Sequence, residues 1–199
     1  IAPDKLQDIL KRLRSYKAQL EEIGGVFLND DTVKHRLQGV GVLTTDQAKE
    51  LGAVGPTLRG SGVAFDMRMT GYAMYGKIGF SPVVETGGDF YARCKVRLRE
   101  MAQSVEIIEK AAAQMAEGPI EAKVVGTPDG DFFARTEQPR GEVIYYAKGN
   151  GTKFLQRMRV RTPTFANIPP LLTMLAGCQL ADVPVIVLTI DPCISCAER

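Results

Sequence analysis

The sequence has no tryptophan, a single histidine and only four cysteines. One histidine, His35 in a polar and solvated stretch, cannot build a His-rich metal site or a His-based triad. Chemistry must therefore come from thiolates, carboxylates and arginines. An excess of one charge is also missing. The formal net charge of +2 is too small to suggest nucleic acid or an anionic membrane surface as a partner. No apolar run approaches a bilayer span, and the longest candidate, Val183 to Ile190, is strand-sized and carries Pro184 and Thr189. The start, Ile1-Ala2-Pro3-Asp4, has neither a signal-peptide pattern nor an initiator methionine, which suggests a fragment or a processed chain. Cys94, Cys178, Cys193 and Cys196 are irregularly spaced in a chain large enough to bury a core. They do not read as a disulfide framework, and a reducing compartment is expected.

What is present is the composition of an ordinary globular domain, 45% hydrophobic and 24% charged. No repeat or linker divides residues 1–199, so one domain is expected. Leu6, Ile9, Leu10, Leu13, Leu20 and Ile23 recur at helical spacing, with Asp4 as the cap and Gly24-Gly25 as the stop. Thr44-Thr45-Asp46 opens a short helix through Leu51, ended by Gly52. Leu58 to Gly79 is too glycine-dense for a regular element. Gly88-Asp89 opens the strongest element, whose seam of Leu98, Met101, Val105, Ile108, Ala112 and Met115 predicts a buried core helix running to Gly118-Pro119. Cys94 and Cys178 read as packed thiols among apolar helix neighbours.

From Gly141 the period shortens. Glu142 to Tyr146 and Phe154 to Val160 predict strands joined through Gly149-Asn150-Gly151, and Thr162-Pro163 breaks the second. Ile168 to Leu180 predicts a helix opened by Pro169-Pro170, with Asn167 as its cap, and Val183 to Ile190 predicts a buried extended run. The sum is an α+β chain, mainly helical.

The tail Asp191-Pro192-Cys193-Ile194-Ser195-Cys196-Ala197-Glu198-Arg199 carries the chemistry. Two thiols separated by two residues can face one point, where they chelate a metal or form a disulfide. Taken alone, the pair fits zinc, a redox couple, another soft metal or an inert pair about equally. Zinc would want a second ligand pair, and none stands out.

The tail resembles the C-terminal nickel-binding signature of NiFe-hydrogenase large subunits, Asp-Pro-Cys-x-x-Cys followed by His or Arg. Thr136-Glu137-Gln138-Pro139-Arg140-Gly141-Glu142 resembles that family's Glu-x-Pro-Arg-Gly element, and Pro163-Thr164-Phe165-Ala166-Asn167 resembles its Pro-Ser/Thr-x-x-Asn element. Leu58-Arg59-Gly60-Ser61-Gly62 with Asp66-Met67-Arg68 is similar to a segment shared with the quinone-site large subunit of respiratory complex I. Gly88 to Arg93 and Arg99 to Ser104 resemble that subunit's long helix. A complex-I-like body with hydrogenase cysteines is the pattern of the energy-converting, membrane-associated hydrogenases.

The resemblance implies a hydrogenase large-subunit fold truncated at its N-terminus, interconverting protons, electrons and H2. Cys193 would be a terminal nickel thiolate and proton acceptor, and Cys196 would bridge nickel and iron. Arg140 would be a fixed cation over the open position, held by Asp191. Pro163 and Thr164 would line the iron's CO and cyanide ligands. From the residues themselves, Arg59, Asp66 and Arg68 read either as an ion-pair network holding the Gly-rich loop near the site or a partner, or as an ordinary surface pairing. Arg199 stands where many relatives have a histidine, and arginine is a poor ligand for a second metal.

Electrons would come from a ferredoxin-like carrier through an iron–sulfur small subunit. Integral membrane subunits would couple turnover to ion translocation, leaving this chain peripheral on the cytoplasmic face. The family's earlier Arg-x-Cys-Gly-x-Cys is missing here. Two of four thiolates are therefore present, the N-terminal half of the subunit is a required partner, and the chain alone is expected to be inactive. The alternatives are a complex-I-like subunit acting in quinone reduction and a non-catalytic scaffold.

Overall fold

Two antiparallel helices frame the molecule in the computed structural model, which describes residues 1–198. The first, α1, spans Pro3–Asn29, followed by α2 (Asp31–Leu37), α3 (Thr45–Glu50), α4 (Gly55–Arg59), a 3-10 turn at Met67–Thr70, α5 (Tyr75–Ile78) and the long α6 (Phe90–Ala113). Three strands come next, β1 (Asp129–Gln138), β2 (Gly141–Asn150) and β3 (Arg157–Arg161). The chain closes with α7 (Pro163–Ala166), α8 (Ile168–Leu175), a 3-10 turn at Leu180–Asp182, α9 (Val183–Thr189) and α10 (Ile194–Ala197). The α+β, mainly helical expectation holds. Arg199 lies outside the described residues.

Helix α1 runs straight through the expected stop at Gly24-Gly25. Gly24 is buried against α6, where an added Cβ would lie 3.4 Å from Leu98 Cδ2. Close helix packing thus offsets the poor propensity of glycine. Polar pairs on the same interface, Arg14–Glu109 at 2.6 Å and Lys17–Glu106 at 2.7 Å, fix the antiparallel register. Ala2 rather than Asp4 caps α1, with Pro3 in the first turn. Thr44 caps α3 by a complete capping box with Gln47, as the sequence suggests.

The seam assigned to a buried core helix is half wrong. α6 does start at the Asp89 cap, but it ends at Ala113, and its buried set is Ala92, Arg93, Val96, Val105 and Ile107. Met101, Ile108 and Met115 are 38%, 43% and 51% exposed. Val183 to Ile190 is a second correction, because most of it is helix α9 and not an extended run. Ile186, Thr189 and Ile190 are buried while Leu188 is 63% exposed, a face of period 3.6 rather than 2, and Pro184 sits in the first turn where its missing N–H is harmless.

The sheet is antiparallel in the order β1-β2-β3. β3 follows the predicted second strand at its C-terminal end only, because residues 151–156 form the connection. β1 gave no sequence signal, since seven of its ten residues are exposed and no apolar alternation marks it. Its pairing with β2 ends at Gln138 opposite Gly141, so Pro139 and Arg140 form a two-residue turn. Leu43, Ala48, Ala53, Leu58, Leu171, Met174, Ile186 and Ile190 make the main core, with Cys178 packed on it just beyond α8.

The Arg140 turn is fixed by a close approach of two backbones. Gly55 (φ 65°) opens α4, and a Cβ there would lie 2.3 Å from the Arg140 carbonyl oxygen. A Cβ on Gly141 (φ 129°) would lie 2.7 Å from Gly55 N. Asn167 secures the same place. It does not cap α8 with its side chain; buried, it pairs with both backbone groups of Val54, accepting from the N–H at 3.0 Å and donating to the carbonyl at 3.2 Å. Gly55→Ala is therefore expected to destabilise the protein by roughly 2 kcal/mol or more, from positive φ and overlap combined. Urea unfolding of wild type and variant measures this, and an unchanged midpoint would contradict the contact.

Candidate functional site

The cysteine tail is held from three sides. Thr162 and Thr164 stand at the start of α7, where Pro163 fixes the first turn. The Thr162 hydroxyl donates to the Cys196 carbonyl at 2.5 Å, and the Thr164 hydroxyl accepts from the Cys193 N–H at 3.2 Å. The Arg140 turn supplies the second side. Arg140 Nε donates to the Asp191 carbonyl at 2.7 Å and lies 3.3 Å from its carboxylate. Asp191 has φ 53°, the left-handed region, which lets its carbonyl and its carboxylate meet one guanidinium. The third side is α6, where Arg93 and Arg97 both reach Thr189.

The two thiols differ. The Cys193 sulfur lies 3.2 Å from the Ser195 hydroxyl. That hydrogen bond, those from the Cys196 N–H and thiol, and the charge of Arg140 lower the Cys193 thiol from its ordinary 9.0 to about 7. Burial and the Cys193 sulfur raise Cys196, against a hydrogen bond from Thr164. The pair therefore offers one soft, anionic sulfur near neutral pH, with the second proton held by its neighbour. Among the described residues no three His, Cys, Asp or Glu side chains cluster as a metal site. This chain can contribute two thiolates and no complete ligand set.

Beside Asp191 opens a cavity of about 540 Å³ between α1, α6 and the Arg140 turn, with Tyr16, Met101 and Ile108 on its apolar wall. Its charged floor is built around Arg59, which is 1% exposed. Arg59 donates to Glu100 at 2.6 Å and Glu137 at 2.9 Å and pairs with Asp66 at 3.2 Å, and Arg68 closes on Asp66 at 2.7 Å. The expected Arg59–Asp66–Arg68 network is present and larger than foreseen. Arg93, Glu100 and Glu137 stood in the motifs without a role, Thr162 was read only as part of a strand break, and Arg97 was missed. The only available signal was the spacing of Arg93, Arg97 and Glu100 along one face of α6. His35 is exposed, as expected.

Fold and site together set a thiol pair two and five residues beyond Asp191, which lines a charged cavity. The chain matches the family model described as respiratory-chain NADH dehydrogenase, 49 Kd subunit, over residues 1–127 and 122–199, and it belongs to that family. It is 38% identical to the carbon monoxide-induced hydrogenase of Rhodospirillum rubrum, over 98% of this chain and 52% of that protein. It is 39% identical to the membrane-bound hydrogenase subunit alpha of Pyrococcus furiosus, over 96% of this chain and 49% of that protein. Relatives also include NADH-quinone oxidoreductase D subunits. The fold matches a chain of the membrane-bound sulfane sulfur reductase, an archaeal respiratory membrane complex, with TM-score 0.92 and 31% identity, covering all of this chain and 57% of that one. The chain spans about half the length of the curated relatives it matches. Among the described residues no helix is long and apolar enough to cross a membrane.

The ion cluster titrates with opposite signs. Burial works against the Asp66 carboxylate, but Arg68 and Arg59 more than offset it, and its pKa falls below the ordinary 3.8. Burial pushes Glu137 above its ordinary 4.5, more strongly than Arg59 pulls it down. Asp66 thus contributes stability that is full above its unfolded value and lost as pH falls through its depressed folded value. Glu137 does the reverse, and acidification through its raised value relieves a charge that is costly at neutral pH. Stability should therefore hold as pH falls toward about 4 and drop below it. Asp66→Asn should cost about 3 kcal/mol at pH 7 and flatten that acid limb. Urea midpoints from pH 7 to 2 decide it, and an unaltered acid limb in the variant would count against this assignment.

Proposed function

We propose that this chain is the part of an energy-converting NiFe-hydrogenase large subunit that carries the second pair of metal thiolates. One observation carries the reading: Arg140, Thr164 and the Asp191–Cys196 tail converge from three separate elements, with Asp191 also lining the cavity. The donor set fits half of a four-thiolate centre, since soft anionic sulfur suits nickel and two thiols lie on one helical turn. The other pair must come from outside this chain, in the N-terminal half of the subunit.

When bound, a nickel–iron pair with CO and cyanide would supply the redox and acid chemistry of 2H⁺ + 2e⁻ ⇌ H2. The residues of this chain do the rest. Cys193 and Cys196 would hold the metals through their thiolates, and Cys193 would also hold or release a proton at Sγ. Arg140 provides a fixed cation beside the thiols, and Asp191 keeps its guanidinium oriented. Pro163 fixes the turn that brings the Thr164 hydroxyl to both cysteines, and the two residues would line the diatomic ligands of a bound metal pair. Partner subunits complete the enzyme: an iron–sulfur small subunit fed by a ferredoxin-like carrier, and integral membrane subunits that translocate ions. The chain is then peripheral on the cytoplasmic face.

Quinone reduction is the second reading. It is favoured by the family to which the chain belongs and by a cavity that joins an apolar wall to a charged floor. Metal content separates the two. The complete subunit is expected to hold nickel and iron, and Cys193→Ala or Cys196→Ala should remove nickel and abolish H2 turnover. Arg140→Lys should keep the metal and lower turnover by about 100-fold. Nickel and H2 activity that survive either cysteine change would overturn the hydrogenase reading.

A further inference from the structure

We propose that Arg97, together with Arg93 one turn before it, is a positioning residue that clamps Thr189 and so holds the Asp191–Cys196 tail in place. This deepens the metal-site reading and rests on it. Two arginines four residues apart on α6 grip the two polar groups of one buried residue. Arg93 Nε donates to the Thr189 hydroxyl at 2.5 Å, and Arg97 Nη2 donates to the Thr189 carbonyl at 2.8 Å. Thr189 is the last residue of α9, two positions before Asp191.

The two guanidiniums are used differently. Arg93 also donates to the carbonyls of Gly88 at 2.8 Å and Gly41 at 2.5 Å, so it ties α9 to the two loops that meet at the N-terminal end of α6. Arg97 is less well satisfied. Among the described residues its buried Nε has no hydrogen-bond partner, and Asp191 and Glu100 act on it only through their charge. A buried cation left this way is a poor device for stability, because an apolar side chain of similar volume would pack there without the desolvation penalty. Its effect is local instead.

Asp191 is a non-glycine residue with positive φ, a conformation that persists only where its surroundings over-determine it. Arg140 holds its carboxylate, and Thr164 and Thr162 hold the two cysteines further on. The Arg97 bond to Thr189 anchors the side from which the tail departs. Asp191 thus pairs directly with Arg140 and also acts on Arg97 through its charge.

The test uses the complete subunit in its complex and reads hydrogen–deuterium exchange by mass spectrometry over residues 188–198. In Arg97→Met, tail amides should exchange about tenfold faster, while peptides from α1 and the sheet keep their wild-type rates. The melting temperature should move by no more than about 4 °C. Arg97→Lys, which retains a charge and a donor for the Thr189 carbonyl, should restore protection to within about twofold. If Arg97→Met does not accumulate, Arg97→Gln carries the same expectation. Wild-type tail exchange in the Met or Gln variant overturns the proposal. So does acceleration spread evenly through α6 and α9 with a large fall in melting temperature, which would mark a merely structural residue. Nickel is assayed on the same samples. A wild-type subunit that never binds it defeats the metal-site reading alone, because the exchange measurement does not depend on metal.

Discussion

The buried guanidinium of Arg59 is met by three carboxylates. Its carboxylates come from three parts of the chain: Asp66 in the Gly-rich loop, Glu100 in the middle of α6 and Glu137 at the end of β1. All three meet at one buried guanidinium, so helix, loop and sheet cannot move independently. This constraint places the hairpin turn against α4, and with it Arg140. The cluster is one cation short: Asp66, Glu100 and Glu137 face Arg59 and Arg68. The surplus falls on Glu137, whose pKa rises although its oxygen is 2.9 Å from Arg59 Nη1. A pair at that distance normally lowers a carboxylate. Here burial and the Asp66 charge outweigh it.

The same rigidity explains why the candidate site can be assembled from short elements. α4, α7 and α10 have four or five residues each, too few to hold side chains by helical cooperativity. They are held by contacts across the chain. The backbones of Gly55 and Gly141 touch, Asn167 completes the backbone bonding of Val54, and Thr162 and Thr164 take the two ends of the cysteine turn. Precision at Arg140 and Cys193 thus comes from the sheet and from α6.

The sequence was most legible where residue types admit few uses. Asp-Pro-Cys-x-x-Cys, Pro-Arg-Gly and Pro-Thr marked the parts that converge, and the Arg140–Asp191 pairing followed from them. The Arg59–Asp66–Arg68 grouping was visible for the same reason. Hydrophobic periodicity misled at α6 because Met101 and Ile108 line a cavity and lie outside the core. It misled at α9 because a short, β-branched apolar run fits strand and helix alike until its buried face is known. β1 was invisible because an edge strand with polar, exposed residues has no pattern to read. Asn167 read as a cap because its partner, Val54, lies 113 residues away.

The manner in which the thiols are held bears on what kind of metal they suit. In a small structural zinc site the ligands are ordered by the metal, and its binding energy is the folding energy. The Cys193–Cys196 turn has other supports: a hydrogen bond from Thr162, one donated to Thr164, the Arg140 grip on Asp191, and the α6 arginines on Thr189. The fold therefore needs no metal staple at this point. Groups that pre-order two sulfurs, lower the pKa of one and hold a cation beside it do little for a structural ion. They suit a centre where ligand geometry and charge must already be set when substrate and protons arrive. The two sulfurs are thereby held in a defined arrangement by this chain's own residues, with Cys193 the more acidic of the pair.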